Sequence, residues 1–236
     1  MRDSLANLNF YLTPGHSCSY LPEQEARTVF VDPRADISGE RYAALTEQGF
    51  RRSGAHVYRP HCGACEACIP TRIPLAVFQP RRSQRRIARR NADLRVTVEP
   101  AHFDERIYQL YERYLAARHD DGDMYPPTPE QFRSFLLPRW GEPLFLSLWL
   151  GDQRIGVAVT DRMPHALSAV YTFFDPSMSD RSLGVQAILA QIDYGSNNGL
   201  SFLYLGYWIR ECRKMRYKID YRPIELRVNG VWVRVH

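Results

Sequence analysis

The 236-residue sequence predicts an α+β protein in two parts, a cysteine-containing N-terminal domain over 1–95 and a C-terminal domain over 96–236 built on a mostly antiparallel sheet. Three observations predict it. Turn signals crowd the first 75 residues: Thr13-Pro14-Gly15, Leu21-Pro22, Asp32-Pro33, Ser53-Gly54 and Ile69-Pro70. From about Val96 the apolar residues first follow a helical period and then a period of two. The period-two runs are joined by segments too short for anything but antiparallel neighbours. A hydrophobic fraction of 44% and a charged fraction of 24% suit a chain that buries a core.

In the first region one helix is expected from Ser38 to Gln48, with Ser38 as N-cap and Gly49 as the stop. Short strands are expected around it, at Arg27–Val31 and His56–Arg59. In the second, Ile107, Leu110, Tyr111, Tyr114 and Leu115 share one helical face, so Asp104–Arg118 is an amphipathic helix. Thr128-Pro129 opens another, to about Phe135. Leu144–Leu150, Arg154–Thr160 and Leu167–Phe174 then alternate as three strands joined by Gly151-Asp152-Gln153 and Arg162-Met163-Pro164-His165, a meander. Leu183–Tyr194 returns to helix, Asn197-Asn198-Gly199 ends it, and Phe202–Ile209 is a last apolar strand.

The net charge of +5 is concentrated. Six arginines and no acid lie between Arg81 and Arg90. Arg81, Arg85 and Arg89 recur every four residues, as do Arg82, Arg86 and Arg90, so on a helix they cover about half of its circumference. No acid at i±4 relieves their repulsion. The pattern reads as a phosphate-contact surface; a solvated or intramolecularly paired face is the alternative. Cys62, Cys65 and Cys68 lie within seven residues, and the total of five cysteines is odd, which points to metal or redox chemistry more than to a disulfide framework. No apolar run reaches the ~20 residues of a membrane span. Met1–Phe10 lacks the apolar stretch of a secretory signal, so the cytosol is the expected compartment.

Across both halves, ordered motifs resemble the arginyl-tRNA–protein transferase family. They are Cys18-Ser-Tyr20-Leu-Pro22, Gly49-Phe50-Arg51-Arg52-Ser53-Gly54, Tyr58-Arg-Pro60, the Cys62/Cys65/Cys68 run, Tyr171-Thr-Phe-Phe-Asp175-Pro176, Tyr204-Leu-Gly-Tyr207-Trp-Ile and Cys212-Arg-Lys214-Met215-Arg-Tyr217-Lys218. The resemblance implies an acyltransferase domain of the GNAT type, whose order of helix, meander, helix and strand the second region matches. Aminoacyl-tRNA and proteins with N-terminal Asp or Glu would be its substrates, in a pathway that marks proteins for degradation. The short bacterial branch implies leucine as the donated residue, from Leu-tRNA, with arginine as the alternative. Arg181-Ser-Leu-Gly184-Val-Gln186 keeps one small residue of a CoA-type phosphate loop but ends on Gln186, which disfavours an acetyl-CoA donor. A non-catalytic tRNA-binding module remains the non-enzymatic alternative.

An aminoacyl ester is already activated, and an α-amine with a pKa of about 8 is partly neutral in the cytosol, so positioning and oxyanion stabilisation suffice without a strong base or any required cofactor. Tyr171 and Asp175 are the catalytic candidates. Asp175 either accepts the amine proton or caps the turn at Pro176. Arg59, Arg118, His119, Lys214 and Lys218 are the family-matching basic positions for the acidic side chain, with Lys214 and Lys218 favoured, then His119 and Arg59; a structural histidine is the alternative for His119. Tyr207 and Trp208 either stack on bases or pack the core. With Cys18 as a fourth, Cys62, Cys65 and Cys68 are candidate ligands for zinc or an iron–sulfur cluster, against reduced structural or redox-sensing thiols. Cys212 reads as a small buried residue.

Overall fold

The computed structural model describes residue 5 and residues 7–122 and 124–236. Residues 1–4 and 6, half of the ten on which the leader reading rests, lie outside the described residues. So does Asp123.

The chain opens with β1 (Phe10–Leu12), the pair β2 (His16–Ser17) and β3 (Glu25–Ala26), and β4 (Thr28–Val31). Helix α1 (Gly39–Glu47) begins where Ser38 accepts the Arg41 N–H, and stops at Gly49, whose φ of 87° only glycine adopts without strain. Next come β5 (Arg51–Ser53), β6 (His56–Pro60), β7 (Ile69–Pro74), α2 (Arg82–Arg90) and β8 (Arg95–Pro100). Helix α3 (Glu105–Arg118) is capped by Asp104, and α4 (Pro129–Leu136) by the reciprocal Thr128/Gln131 box. The meander is β9 (Glu142–Leu150), β10 (Gln153–Met163) and β11 (Ala166–Phe174); α5 (Leu183–Asn197), β12 (Phe202–Trp208), β13 (Ile224–Val228) and β14 (Val231–Val235) complete the chain.

Two principal sheets result. A small antiparallel one runs β1-β4-β6-β5, and a large mixed one runs β14-β13-β7-β12-β11-β10-β9-β8, in which only β11 and β12 are parallel. Alternation along the meander sorts its side chains. Phe145, Val157, Val159 and Phe173 face α3 and α4, while Leu146, Leu148 and Ala158 face Leu183, Ala187 and Ala190 of α5.

Two features depart from the sequence reading. Ile69-Pro70, expected as a turn, starts β7, a strand between β12 and β13 in the large sheet. It tolerates its prolines because β13 pairs only with Thr71 and Arg72, so the N–H groups missing at Pro70 and Pro74 are not needed on that side. The chain also continues past the last expected strand into the β13–β14 hairpin, closed by Asn229 and Gly230, both at positive φ.

Candidate active site

The large sheet opens at its centre. Strands β11 and β12 pair only through Ala166–Ser168 and Phe202–Tyr204. Immediately beyond, each strand carries a bulge. The register of β11 against β10 skips Val170, and that of β12 against β7 skips Leu205, with Gly206 at φ 83°. Bulges bend a strand and re-aim its side chains, and here both fall where the parallel pairing ends. A cleft therefore opens between Ala169–Phe174 and Leu205–Trp208, and on its β12 side the β11 backbone has no strand partner. The first turn of α5 lies past the β11 end of this cleft, entered through Ser182 at φ 53° without a side-chain cap. There Gln186, the residue that breaks the CoA-type loop, holds a buried Oε1 with no hydrogen-bond partner.

Arg51 of β5 reaches into the opening. Its Nη1 donates to Ser168 Oγ at 2.7 Å and its Nη2 to Ala169 O. A Cβ on Gly206 would stand 3.2 Å from its Nε, so the bulged glycine makes room for the guanidinium. Lys218 lies near it, 6% exposed, with Nζ donating to Tyr207 O at 2.7 Å and to Met215 Sδ at 3.1 Å. Burial, and then the Arg51 charge, lowers its ammonium to about 7. Neither cation has a carboxylate partner among the described residues. Arg51 was not among the candidates read from the sequence; its alternation with Arg52 along a strand is a signal, but only partner strands show which face is which.

The expected catalytic pair is only partly assembled. Tyr171 stands among Tyr111, Tyr114 and Phe135, and burial raises its hydroxyl far above the ordinary range, with Tyr114 and Tyr111 adding to the effect. Such a phenol is a neutral donor at cellular pH. Asp175 caps the 3₁₀ turn Pro176–Arg181, with Oδ1 accepting from Ser177 N at 3.0 Å and Ser177 Oγ at 2.6 Å. That geometry is the turn-capping alternative, and it leaves Oδ2 uncommitted.

His119 closes α3 beside Tyr114, with ring centroids 5.5 Å apart. Burial first, and then the positive charges of Lys214 and Arg118, lower its pKa, against an opposing pull from Asp121. Lys214 is exposed near it. Tyr207 packs in the core with its hydroxyl donating to Gly49 O, and Trp208 is half-buried with Nε1 donating to Arg216 O. Core packing thus accounts for Tyr207.

Arg59 faces elsewhere, over the Phe50 ring with Nη1 on Gln48 O. It shares an open cavity of about 570 Å³ with Arg227, Tyr20 and four cysteines, Cys18, Cys62, Cys65 and Cys68. Arg227, also unread in the sequence, buries an Nε with no partner. Burial, then the neighbouring thiols of Cys18, Cys62 and Cys65, push the Cys68 thiol up to about 12, and Cys212 adds to the effect. Cys212 thus belongs to the same neighbourhood. The donor set suits zinc or an iron–sulfur cluster. As folded, though, no three His, Cys, Asp or Glu side chains among the described residues are arranged to hold an ion.

The arginine helix α2 is seated by its three non-arginine contacts. Gln84 accepts from Arg81 N and donates to Asp220 O; Ile87 is half-buried; Asn91 donates to Arg181 O. All six arginines are exposed. Arg81 pairs with Asp220 at 2.9 Å, and Arg85 and Arg90 donate to the carbonyls of Pro80 and Asp180. Among the described residues, the other five have no carboxylate within 4.0 Å. The contacts with Asp180 and Arg181 put this basic face next to the turn that leads from β11 into α5.

Comparison with known proteins finds a family match in each half of the chain. The model for the N terminus of arginine-tRNA-protein transferases matches residues 16–86, and the model for their C terminus matches residues 106–228. These matches define a tRNA-dependent aminoacyltransferase. Proteins called aspartate/glutamate leucyltransferase are similar throughout. That of Pseudomonas paraeruginosa is 54% identical over 97% of both chains, and that of Alcanivorax borkumensis 51% identical over 97% of this chain and 94% of its own. The chain belongs to the arginine-tRNA-protein transferase family. In fold alone it is also similar to the structure of L-PGS from Bacillus licheniformis (TM-score 0.52, 14% identity, 84% of this chain and 63% of that one).

Proposed function

We propose that the protein transfers leucine from Leu-tRNA to the α-amine of proteins that begin with Asp or Glu, marking them for degradation by an N-degron route in the cytosol. The observation that carries this reading is the identity of 50–54%, over nearly the whole length, to relatives bearing the leucyltransferase name. The geometry supports it. A cleft lined by carboxylate-free cations suits an acidic acceptor, and a basic helix beside the same end of the sheet suits a tRNA. No helix among the described residues is long and apolar enough to cross a membrane.

In this reading residues 96–236 form a GNAT-like transfer domain completed by β7, and residues 1–95 contribute β5, α2 and the cysteine cavity. Arg81, Arg82, Arg85, Arg86, Arg89 and Arg90 hold tRNA phosphates and place the aminoacyl end in the cleft. The neutral amine of the acceptor attacks the ester carbonyl. A C–N bond forms, the C–O bond to the terminal ribose breaks, and the tRNA hydroxyl takes up a proton. Tyr171, held neutral, donates to the developing oxyanion, and Asp175 Oδ2 receives the amine proton directly or through water. Lys218 and Lys214, with His119 near Lys214, make the site electropositive toward the acceptor carboxylate, while Arg59 stands on the cysteine cavity.

The test is a transfer assay with tRNA carrying labelled leucine or arginine and peptides beginning Asp, Glu, Lys or Ala. Leucine on the Asp and Glu peptides alone is expected. Arginine there instead would overturn the donor, and intact tRNA binding without transfer would leave a binding module. Changing Arg85, Arg86 and Arg89 together to Ala should weaken tRNA binding. Its log–log salt slope should flatten by about 0.7–0.9 for each phosphate no longer neutralised. An unchanged slope takes α2 out of the tRNA interface.

A further inference from the structure

We propose that Arg51 reads the acceptor: its guanidinium, placed in the cleft between β11 and β12, binds the side-chain carboxylate of the N-terminal Asp or Glu. The proposal deepens the functional reading above and rests on it.

The guanidinium sits where chemistry requires it. In an N-terminal Asp or Glu, the reacting amine and the side-chain carboxylate are separated by only a few bonds. Whatever binds the acid must therefore line the cleft where the amine meets the ester. Of the expected acid-binding residues, Arg59 lies on the cysteine cavity and Lys214 on the exposed surface near His119. Arg51 is in the cleft itself, anchored to Ser168 and Ala169 at the last paired position of β11. Two of its five N–H groups are used by those contacts, and the described residues provide no other partner, so three remain for a carboxylate.

The surroundings point the same way. Arg52, the next residue, is fully satisfied by Asp161 and three carbonyls. Arg72, one strand over, is satisfied by Glu225 and Glu47. Unlike these two, Arg51 and the nearby Lys218 have no carboxylate among the described residues. Burial and the Arg51 charge disfavour a proton on Lys218, and an arriving carboxylate offsets that charge. Gly206 contributes by shape, because any side chain at this bulge would crowd the guanidinium. The acceptor class is thus a free α-amine with a carboxylate on its first side chain, and an amide in its place leaves the fork unmatched.

The experiment compares peptides beginning Asp and Asn, which differ by charge and hardly by shape, in wild type, Arg51→Gln and Arg51→Lys. With wild type, transfer should favour Asp strongly. With Arg51→Gln, kcat/KM on the Asp peptide should fall roughly 10- to 100-fold while the Asn peptide changes little, so the ratio moves toward 1. Arg51→Lys keeps the charge but loses the fork, and its ratio should lie between the two, with a wild-type urea midpoint. An Asp-over-Asn ratio unchanged in both variants overturns the proposal. So does an equal fall on both peptides, which marks Arg51 as only a brace for β11. If Arg51→Gln does not fold, the Arg51→Lys ratio decides alone, a wild-type value counting against the proposal. Wild-type protein that transfers to neither peptide overturns the functional reading, and this proposal with it.

Discussion

Replacing Arg52 with Met should cost about 3–5 kcal/mol of stability, seen as a fall in the urea midpoint at constant slope. Arg52 and Asp161 form a bidentate pair with both bonds at 2.7 Å, and their side chains are 0% and 4% exposed. The guanidinium also donates to the carbonyls of Gly54, Phe135 and Leu136, and Tyr42 donates its hydroxyl to Asp161. Five pieces of the fold, α1, β5, the turn after it, α4 and β10, meet at this one pair. Removing the arginine strands a buried carboxylate and three carbonyls; the cost comes mainly from those unmet groups. Replacing both residues, as Arg52→Met with Asp161→Leu, removes the stranded charge and should recover part of the loss. A single variant within 1 kcal/mol of wild type would show that water reaches the pair.

Lys218 gives the second large effect, through pH. Its ammonium is lowered to about 7 in the folded protein, by burial and then by Arg51. Below pH 7 both folded and unfolded chains hold the proton. Between about 7 and 10.5 the unfolded chain still holds it and the native chain does not, so raising the pH favours the native state. From pH 6.5 to 8.5, wild type should gain about 2 kcal/mol relative to Lys218→Met, which has no proton to lose. Taking the difference cancels groups common to both proteins, such as the Cys68 thiol. Parallel urea titrations of the two at several pH values measure it; a flat difference would mean that Lys218 keeps an ordinary lysine pKa in the fold.

Much of the architecture is local enough to read from the chain. Ser38, Asp104 and Thr128 announce their helices because the cap and the first-turn N–H groups it accepts from are neighbours in sequence. The meander is legible because its joins are short. Strand β7 is not, since two prolines contradict a strand until one sees which of its edges lacks a partner. The β13–β14 hairpin carries a plain Asn-Gly signal, although no strand was expected beyond Ile209. The site shows the sharper limit. Arg51 and Arg52 are adjacent and chemically identical, yet one is consumed by Asp161, 109 residues away, and the other reaches Ser168 where the pairing of β11 with β12 ends. Which role falls to which is decided by strands folded from the other end of the chain. The α2 arginines were readable because a run of like charge needs no tertiary partner to be seen.

Strand β7 also sets a timetable for synthesis. It leaves the ribosome well over a hundred residues before β12, and longer still before β13, the two strands it lies between in the finished sheet. At typical elongation rates it waits on the order of 10 s, its edges unpaired and Arg72 without Glu225. The small N-terminal sheet and α1 form from nearby segments and need no such delay. The large sheet can close only after β12 and β13 have emerged, so a nascent chain stalled before residue 224 carries an open edge of the kind that invites aggregation. Truncations from the C terminus should therefore be lost to insolubility or proteolysis even when they spare every residue of the cleft.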